Sequence, residues 1–225
     1  MKPEKALETV NRIIGLSPEK KLILDVIEHN KKFSKPELQW QFISNLYLEL
    51  KDEITRTEAK ATGNAKRLQA AKRILKKGGE SRTAFEFAYI KDGKQYFTDG
   101  FRLAILKSPL PLPNVPKDEM YPDVSYFERM ADISNYKIID TPDVNELQAY
   151  IKIQKANKVK YINYSFGEEF TTVSAPFLLD MLTIIPNAEI RFTGRKNALI
   201  LVNDSGDVGL LMPINAPATP KTKLV

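Results

Sequence analysis

Segment 96–106 constrains the fold most, because it reads as two strands joined by a tight corner. Thr98-Asp99-Gly100 is a turn signal, since Asp bonds to its own backbone and Gly supplies a positive φ. The aromatic and aliphatic residues on either side favour strands. After the corner, Arg102 alternates with Phe101 and Leu103, so the guanidinium and the large apolar groups point to opposite faces. Taken alone, these residues fit a β-hairpin with one solvated arginine.

Composition is that of an ordinary folded protein: 225 residues, of which 43% are hydrophobic and 28% charged. The length suffices for one sizeable core or two small ones. The absence of Cys excludes disulfides, thiolate metal sites and a cysteine nucleophile, and gives no sign of an oxidising compartment. No apolar run approaches the roughly 18 residues of a membrane helix, and the first residues do not resemble a secretory signal. We therefore expect a cytoplasmic protein with no membrane partner.

Residues 1–62 show two or three amphipathic helix patterns joined by short polar turns. They predict an all-helical N-terminal domain, either a helical hairpin or a small bundle. A helix-turn-helix that reads DNA sequence is a further alternative. Residues 63–215 alternate helix and strand patterns and predict an α+β domain, and 216–225 predict a disordered tail.

The first helix of the α+β domain, predicted over 65–77, carries a basic face. Its cations fall within an arc of about 140° on a helical wheel, opposite an apolar stripe. Such a face would contact phosphate backbone without sequence preference, with an affinity that falls as salt rises. Solvated lysines are the alternative, and the last two also suit the helix dipole. The candidate DNA-binding residues are Lys66, Lys72, Arg73, Lys76 and Lys77.

Strands and helices alternate through the rest of the domain. Gly78-Gly79 is expected to end the basic helix, and the four prolines of 108–116 predict an extended connector. Helices are predicted at 141–157 and 175–185, and strands at 82–90, 95–97, 160–166, 169–173, 189–193, 198–203 and 208–213.

Catalytic and metal chemistry is thin in this chain. His29 is the single histidine, which excludes a multi-histidine metal site and a histidine triad, and no glycine-rich phosphate loop occurs. Glu168-Glu169 and Asp204 with Asp207 are paired acids, but their positions beside turns favour solvated carboxylates over an acid/base or Mg²⁺ pair. We expect a protein that is not an enzyme and has no cofactor, catalytic residue or metal.

Three motifs resemble the bacterial sliding clamp, the β subunit of DNA polymerase III. Residues 98–104 resemble its Thr-Asp-Gly-His-Arg-Leu-Ala signature, with Phe101 in place of His. Residues 211–214, Leu-Met-Pro-Ile, are similar to the Met-Pro-Met segment that closes the last strand of a clamp. Residues 173–182 are similar to the family's second helix entry. The resemblance covers roughly 65–215 and makes 109–170 an insertion or a strongly altered linker.

The resemblance implies a clamp-like module, with helices packed on antiparallel sheets, behind an N-terminal helical extension. In clamps, the helices present cations to DNA, and a groove takes short apolar peptides from polymerases and loaders. In the family the two groove segments come from adjacent modules, so here we expect them to meet only across a subunit boundary. Plain core packing is the alternative. The candidate peptide-binding residues are Thr98, Gly100, Phe101, Arg102, Leu103, Met212, Pro213 and Ile214.

The function that the resemblance implies is that of a processivity or scaffolding accessory in DNA replication or repair. Its partners would be double-stranded DNA, bound independently of sequence, and DNA polymerase or other replication proteins. A bacterial clamp chain carries three modules and this chain has room for one, so a ring would be a homo-oligomer of about six copies. The compact form suggests a phage or mobile element. The alternative is a non-ring adaptor that recruits or sequesters replication proteins.

Overall fold

The computed structural model describes residues Gln41, Asn45, 55–57, 59–116, 120–132, 134–217 and 219–224. The chain divides into two compact units, Met1–Thr62 and Gly63–Val225. In the first unit the described positions up to Ala61 are helical. Most of the predicted N-terminal helices, and the helix-turn-helix alternative with them, lie outside the described residues.

Among its described residues, the second unit has four α-helices and nine strands, the mixed class that the sequence predicts. No described helix is long and apolar enough to cross a bilayer. The helices are α1 (Ala65–Gly79), α2 (Val124–Ala131), α3 (Val144–Ala156) and α4 (Ala175–Ile184). The strands are β1 (Tyr89–Lys91), β2 (Lys94–Thr98), β3 (Arg102–Leu106), β4 (Lys137–Ile139), β5 (Asn163–Ser165), β6 (Thr172–Ser174), β7 (Glu189–Phe192), β8 (Leu199–Val202) and β9 (Val208–Leu211).

Seven of these strands form one antiparallel sheet in the order β1-β2-β3-β9-β8-β7-β4, and β5 pairs with β6 separately. The sheet contains an internal repeat. Helix α1 precedes the three-strand meander β1-β2-β3, and helix α4 precedes the meander β7-β8-β9. The two meanders join where β3 pairs with β9, with Arg102 opposite Leu211. The α+β class, with helices on antiparallel sheet, is confirmed.

Helices cover both faces of the sheet, and the two-residue period of the strands directs side chains to each face. On one face Tyr96, Leu103, Ile105 and Leu210 form a buried cluster that Val124 of α2 covers. On the other face α1 and α4 pack together and against β2, β3 and β9. Coverage of both faces by helices explains why β3 is buried along its whole length.

Gly78 shows why α1 runs past its predicted end. The helix continues to Gly79, and Gly78 is buried where α1 meets the residues that follow it. A Cβ on Gly78 would lie 2.7 Å from the Phe85 Cβ and 2.7 Å from the Thr98 carbonyl oxygen. Gly78 is therefore needed for close approach, and the helix ends at the next residue, Gly79, as expected of the glycine pair. The chain then turns through a 3₁₀ helix, Thr83–Glu86, so the predicted strand 82–90 survives only from Tyr89.

Region 109–170 contributes to this same unit. Strand β4 pairs with β7 in the main sheet, and α3 packs against α4. The Gln95 side chain donates to the Leu110 carbonyl at 2.9 Å and accepts from the Leu110 amide at 2.8 Å, which fixes the proline-rich connector to β2. That region 109–170 is an insertion relative to other proteins stays a prediction.

The C-terminal segment differs from the disordered tail that we expected. The Thr222 amide donates to the Ser165 carbonyl at 2.9 Å, and the Ser165 amide donates to the Thr222 hydroxyl at 2.8 Å. The Ser165 hydroxyl also donates to the Thr219 carbonyl at 2.9 Å. The C-terminal segment therefore lies alongside β5. Because β5 is more than fifty residues earlier in the chain, local composition does not predict this contact.

Gly78→Ala tests the close approach. Its methyl group would meet backbone, so we expect the free energy of unfolding to fall by about 1–3 kcal/mol. Gly79→Ala is the matched control in the same helix, since its new Cβ would meet the movable Glu86 side chain. Alanine gains up to about 1 kcal/mol of helix propensity over glycine, so this variant should match or exceed wild type. Urea unfolding measures both, and equal stabilities would contradict the interpretation.

Candidate functional site

The corner between β2 and β3 satisfies its own polar groups. The Thr98 hydroxyl donates to the Arg102 carbonyl at 2.6 Å and accepts from the Gly100 amide at 3.0 Å. The Asp99 carboxylate accepts from the amides of Phe101 and Arg102 at 2.9 and 2.7 Å. Gly100 has φ of 87°, which favours glycine. The Thr-Asp-Gly sequence therefore builds a corner with a fixed shape.

Arg102 is buried, with 2% of its side chain exposed. Its Nε and Nη2 donate to Oδ2 of Asp99 at 3.0 and 2.7 Å, and its Nη1 donates to Oδ2 of Asp180 at 2.6 Å. The guanidinium carbon lies 4.0 Å from the centroid of the Phe177 ring. Arg73 reaches the other oxygen of Asp180, with Nε at 2.9 Å. The solvated-arginine interpretation is wrong, because α4 supplies a carboxylate that the local pattern does not contain.

An open apolar groove of about 230 Å³ lies beside this corner, between the sheet and α2. The chain that leaves β9 closes it, as the Met212 amide donates to the Phe101 carbonyl at 2.9 Å. Phe101 and Tyr126 are each 55% exposed and Met212 is 40% exposed, so apolar surface faces solvent. The lining residues are Phe85, Thr98, Gly100, Phe101, Arg102, Leu103, Tyr126, Phe127, Met130, Leu210 and Met212.

Six of the eight candidate peptide-binding residues line this groove: Thr98, Gly100, Phe101, Arg102, Leu103 and Met212. Pro213 and Ile214 instead line a neighbouring groove of about 760 Å³ beside β6. The expectation that the two segments meet only across a subunit boundary is wrong. They meet within one chain because they lie at adjacent ends of the paired strands β3 and β9. Peptide binding by these residues stays a prediction.

Helix α2 forms a wall of the groove and lies outside the helices predicted from the sequence. Its start is readable: Asp123 accepts from the Ser125 amide at 3.0 Å, an N-cap before an apolar run. Glu128 fastens the helix to β2, accepting from Nζ of Lys94 at 2.7 Å and from the Tyr96 hydroxyl at 2.8 Å. Both hydrogen bonds lower the pKa of the Glu128 carboxyl. Burial, and then the bond to Glu128, raise the pKa of the Tyr96 hydroxyl.

The five candidate DNA-binding cations all lie on α1, whose apolar face is buried. Lys66, Lys76 and Lys77 are exposed, and Lys72 is half-buried. Arg73 is held by Asp180, and Nζ of Lys77 lies 5.4 Å from the centroid of the Phe177 ring. Two of the five therefore contact α4. Binding of DNA by this face stays a prediction.

One of the paired acids is not a solvated turn carboxylate. Asp207 is buried, accepting from the Lys107 amide at 3.0 Å and from Nη2 of Arg67 at 2.8 Å. It joins α1 to the start of β9. Within the described part of the chain, no three or more His, Cys, Asp or Glu side chains gather as metal ligands would.

No protein family matches this sequence, and no curated protein matches it. A solved structure of the Helicobacter pylori beta clamp bound to a DNA ligase peptide is weakly similar, with a TM-score of 0.34 and 17% sequence identity. The match covers 55% of this chain and 41% of the clamp chain, so this chain spans less than half the length of that clamp.

Asp180→Asn tests the buried ion network beside the groove. The variant leaves the buried Arg102 with one charged partner in place of two, so we expect unfolding free energy to fall by about 3–5 kcal/mol. Arg73→Gln is the control, because Arg73 binds the same Asp180 carboxylate but its side chain is 54% exposed. It should cost no more than about 1 kcal/mol. Denaturant unfolding compares the two, and an equal or larger loss in Arg73→Gln would contradict the assignment.

Proposed function

We propose that this protein is a sliding-clamp-like accessory factor of DNA replication or repair, acting in processivity or scaffolding. It binds short peptides of DNA polymerase or other replication proteins in the apolar groove, and duplex DNA backbone through α1. One observation carries the proposal: Thr98, Gly100 and Met212, which belong to the segments with the sequence resemblance, line one open apolar groove. Its role is binding, and no catalytic step is part of it.

The groove suits an extended peptide with apolar side chains. Its exposed Phe101, Tyr126 and Met212 offer apolar contact area, and aromatic and Met side chains are frequent at such sites. The corner under Phe101 is fixed by the carboxylate of Asp99, and α2 is fastened through Glu128. A groove formed before binding loses little conformational entropy when a peptide enters. These contacts support recognition of a short peptide segment and not of a broad protein surface.

The α1 face would contact DNA through phosphates alone. Lys66 and Lys76 are exposed, and lysine meets phosphate as a point charge without reading bases. Each contact is weak, so retention on DNA would depend on a homo-oligomeric ring of this chain.

A non-ring adaptor that recruits or sequesters replication proteins is the second candidate. The favouring observation is that both groove segments come from one chain, joined at Arg102 and Leu211, so peptide capture needs no second copy. Sedimentation with and without duplex DNA distinguishes the candidates. A closed assembly of several copies supports the ring, and a monomer or simple dimer at all concentrations supports the adaptor.

Peptide binding is tested with a labelled library of six-residue peptides that carry Leu and Phe at varied spacings. We expect Phe101→Ala and Met212→Ala each to weaken the tightest binder about 5–30-fold, because each truncates an exposed apolar contact. Met120→Ala is the matched control, since Met120 is 93% exposed and lies outside the groove. Fluorescence anisotropy measures the affinities. A library with no binder, or equal losses in the control, would refute the groove.

DNA binding is tested with a fluorescent duplex over a salt series. Exposed lysines are changed in the double variant Lys66→Gln with Lys76→Gln, and the charge-matched control is Lys91→Gln with Lys137→Gln, both exposed and outside α1. The plot of log affinity against log salt has a negative slope, and losing two phosphate contacts should reduce its magnitude by about two. The control should keep the wild-type slope. Identical slopes in all three proteins would remove α1 from the proposal.

A further inference from the structure

A second concentration of positive charge lies at the end of α3, away from the groove. From 147 to 167 the sequence contains no Asp or Glu, and it places lysines at 152, 155, 158 and 160. All four are exposed. Among the described residues none of the four forms an ion pair, whereas Lys94 and Lys221 each meet a carboxylate. We call Lys152, Lys155, Lys158, Lys160 and Tyr161 the α3 lysine surface.

The chain reversal after α3 brings these lysines together. The Lys158 amide donates to the Lys155 carbonyl at 3.0 Å, and the Val159 amide donates to the Gln154 carbonyl at 3.0 Å. This pair of bonds is the Schellman ending of a helix, which returns the chain beside its last turn. Lys152 and Lys155 are three residues apart and share a helix face. The following segment therefore adds its charges next to theirs.

Lys158 occupies the position of this motif that glycine usually takes. Its φ is 57°, in the left-handed region where a side chain is disfavoured. The negative end of the helix dipole favours cations near Lys155, but a lysine one or two positions away would supply the same charge without the strained backbone. A strained residue on an exposed surface is an indication of function, and here the side chain is cationic.

Tyr161 adds an aromatic ring to the charged surface. It is 71% exposed, and Nζ of Lys160 lies 5.1 Å from its ring centroid. The backbone beyond it is held in place, because the Ala175 amide donates to the Ile162 carbonyl at 2.9 Å and the Tyr150 hydroxyl donates to the Asn163 carbonyl at 3.0 Å. The ring is thus presented to solvent from a fixed backbone.

We propose that the α3 lysine surface binds single-stranded nucleic acid, with the lysines on phosphates and Tyr161 stacked on an unpaired base. Cationic grooves with exposed aromatic rings are the usual means of binding single strands. A membrane is a poorer fit, because Leu147 and Ile151, the apolar side of α3, are buried where the helix packs on α4. This inference uses neither the peptide groove nor α1. It can therefore fail while the proposed function holds, and the proposed function can fail while this inference holds.

The test uses the full chain and a labelled oligothymidine of about 15 nucleotides, a length that one compact binding surface can cover. Lys152→Gln with Lys155→Gln should weaken binding about 10-fold at low salt and reduce its salt dependence. Tyr161→Ala should weaken binding to the single strand about 5–100-fold while leaving binding to a duplex of equal length unchanged. Lys91→Gln with Lys137→Gln is the charge-matched control and should bind as wild type does.

Lys158→Gly separates binding from folding. It removes a charge and also relieves the left-handed backbone, so we expect a higher melting temperature together with weaker oligothymidine binding. No binding by the wild type, equal losses in the control, or unchanged affinity in both the lysine and the Tyr161 variants would overturn the proposal. Binding to anionic lipid vesicles or to polyglutamate in place of oligothymidine would overturn it as well.

Discussion

The buried guanidinium of Arg102 is the interaction on which the groove depends. A buried cation is costly unless carboxylates surround it, and here Asp99 and Asp180 supply two of them. One carboxylate belongs to the corner and the other to α4, so neither element can shift without exposing an unpaired charge. The ring of Phe177 covers the guanidinium at 4.0 Å. This network fixes the corner, and the corner fixes the position of Phe101 at the mouth of the groove.

The internal repeat explains why a groove forms at this place. Each helix-and-meander repeat ends in a strand, and the two final strands, β3 and β9, pair along their length. The corner before β3 and the segment after β9 therefore lie side by side at the same end of these two central strands. Antiparallel pairing puts a strand start beside a strand end, which is how residues more than a hundred positions apart come to share one surface. Helix α2 then closes the remaining side.

Local sequence patterns predict most of the helices and strands, but they do not predict which residues tertiary packing buries. The helix at 175–185 and the three strands after it were predictable because their apolar period and turn residues are local. The burial of Arg102 was not, since Asp180, the second of its two carboxylate partners, is 78 residues away on α4. Gly78 was predicted as a helix stop because a glycine after a periodic run usually is one. Only packing shows that it admits the Thr98 carbonyl. Whether the predicted surfaces bind peptide or DNA stays a prediction.

The two proposed activities differ in how they depend on assembly. The groove is built within one chain, because the Met212 amide bonds to the Phe101 carbonyl of the same molecule. A monomer would therefore bind a peptide as well as an assembled protein would. Phosphate contacts by α1 gain from assembly, since several copies around one duplex multiply weak contacts and, if closed, prevent dissociation. Dilution would then release DNA while leaving peptide affinity unchanged. Under the proposed function, the chain would therefore keep a recruiting role at concentrations too low for a ring.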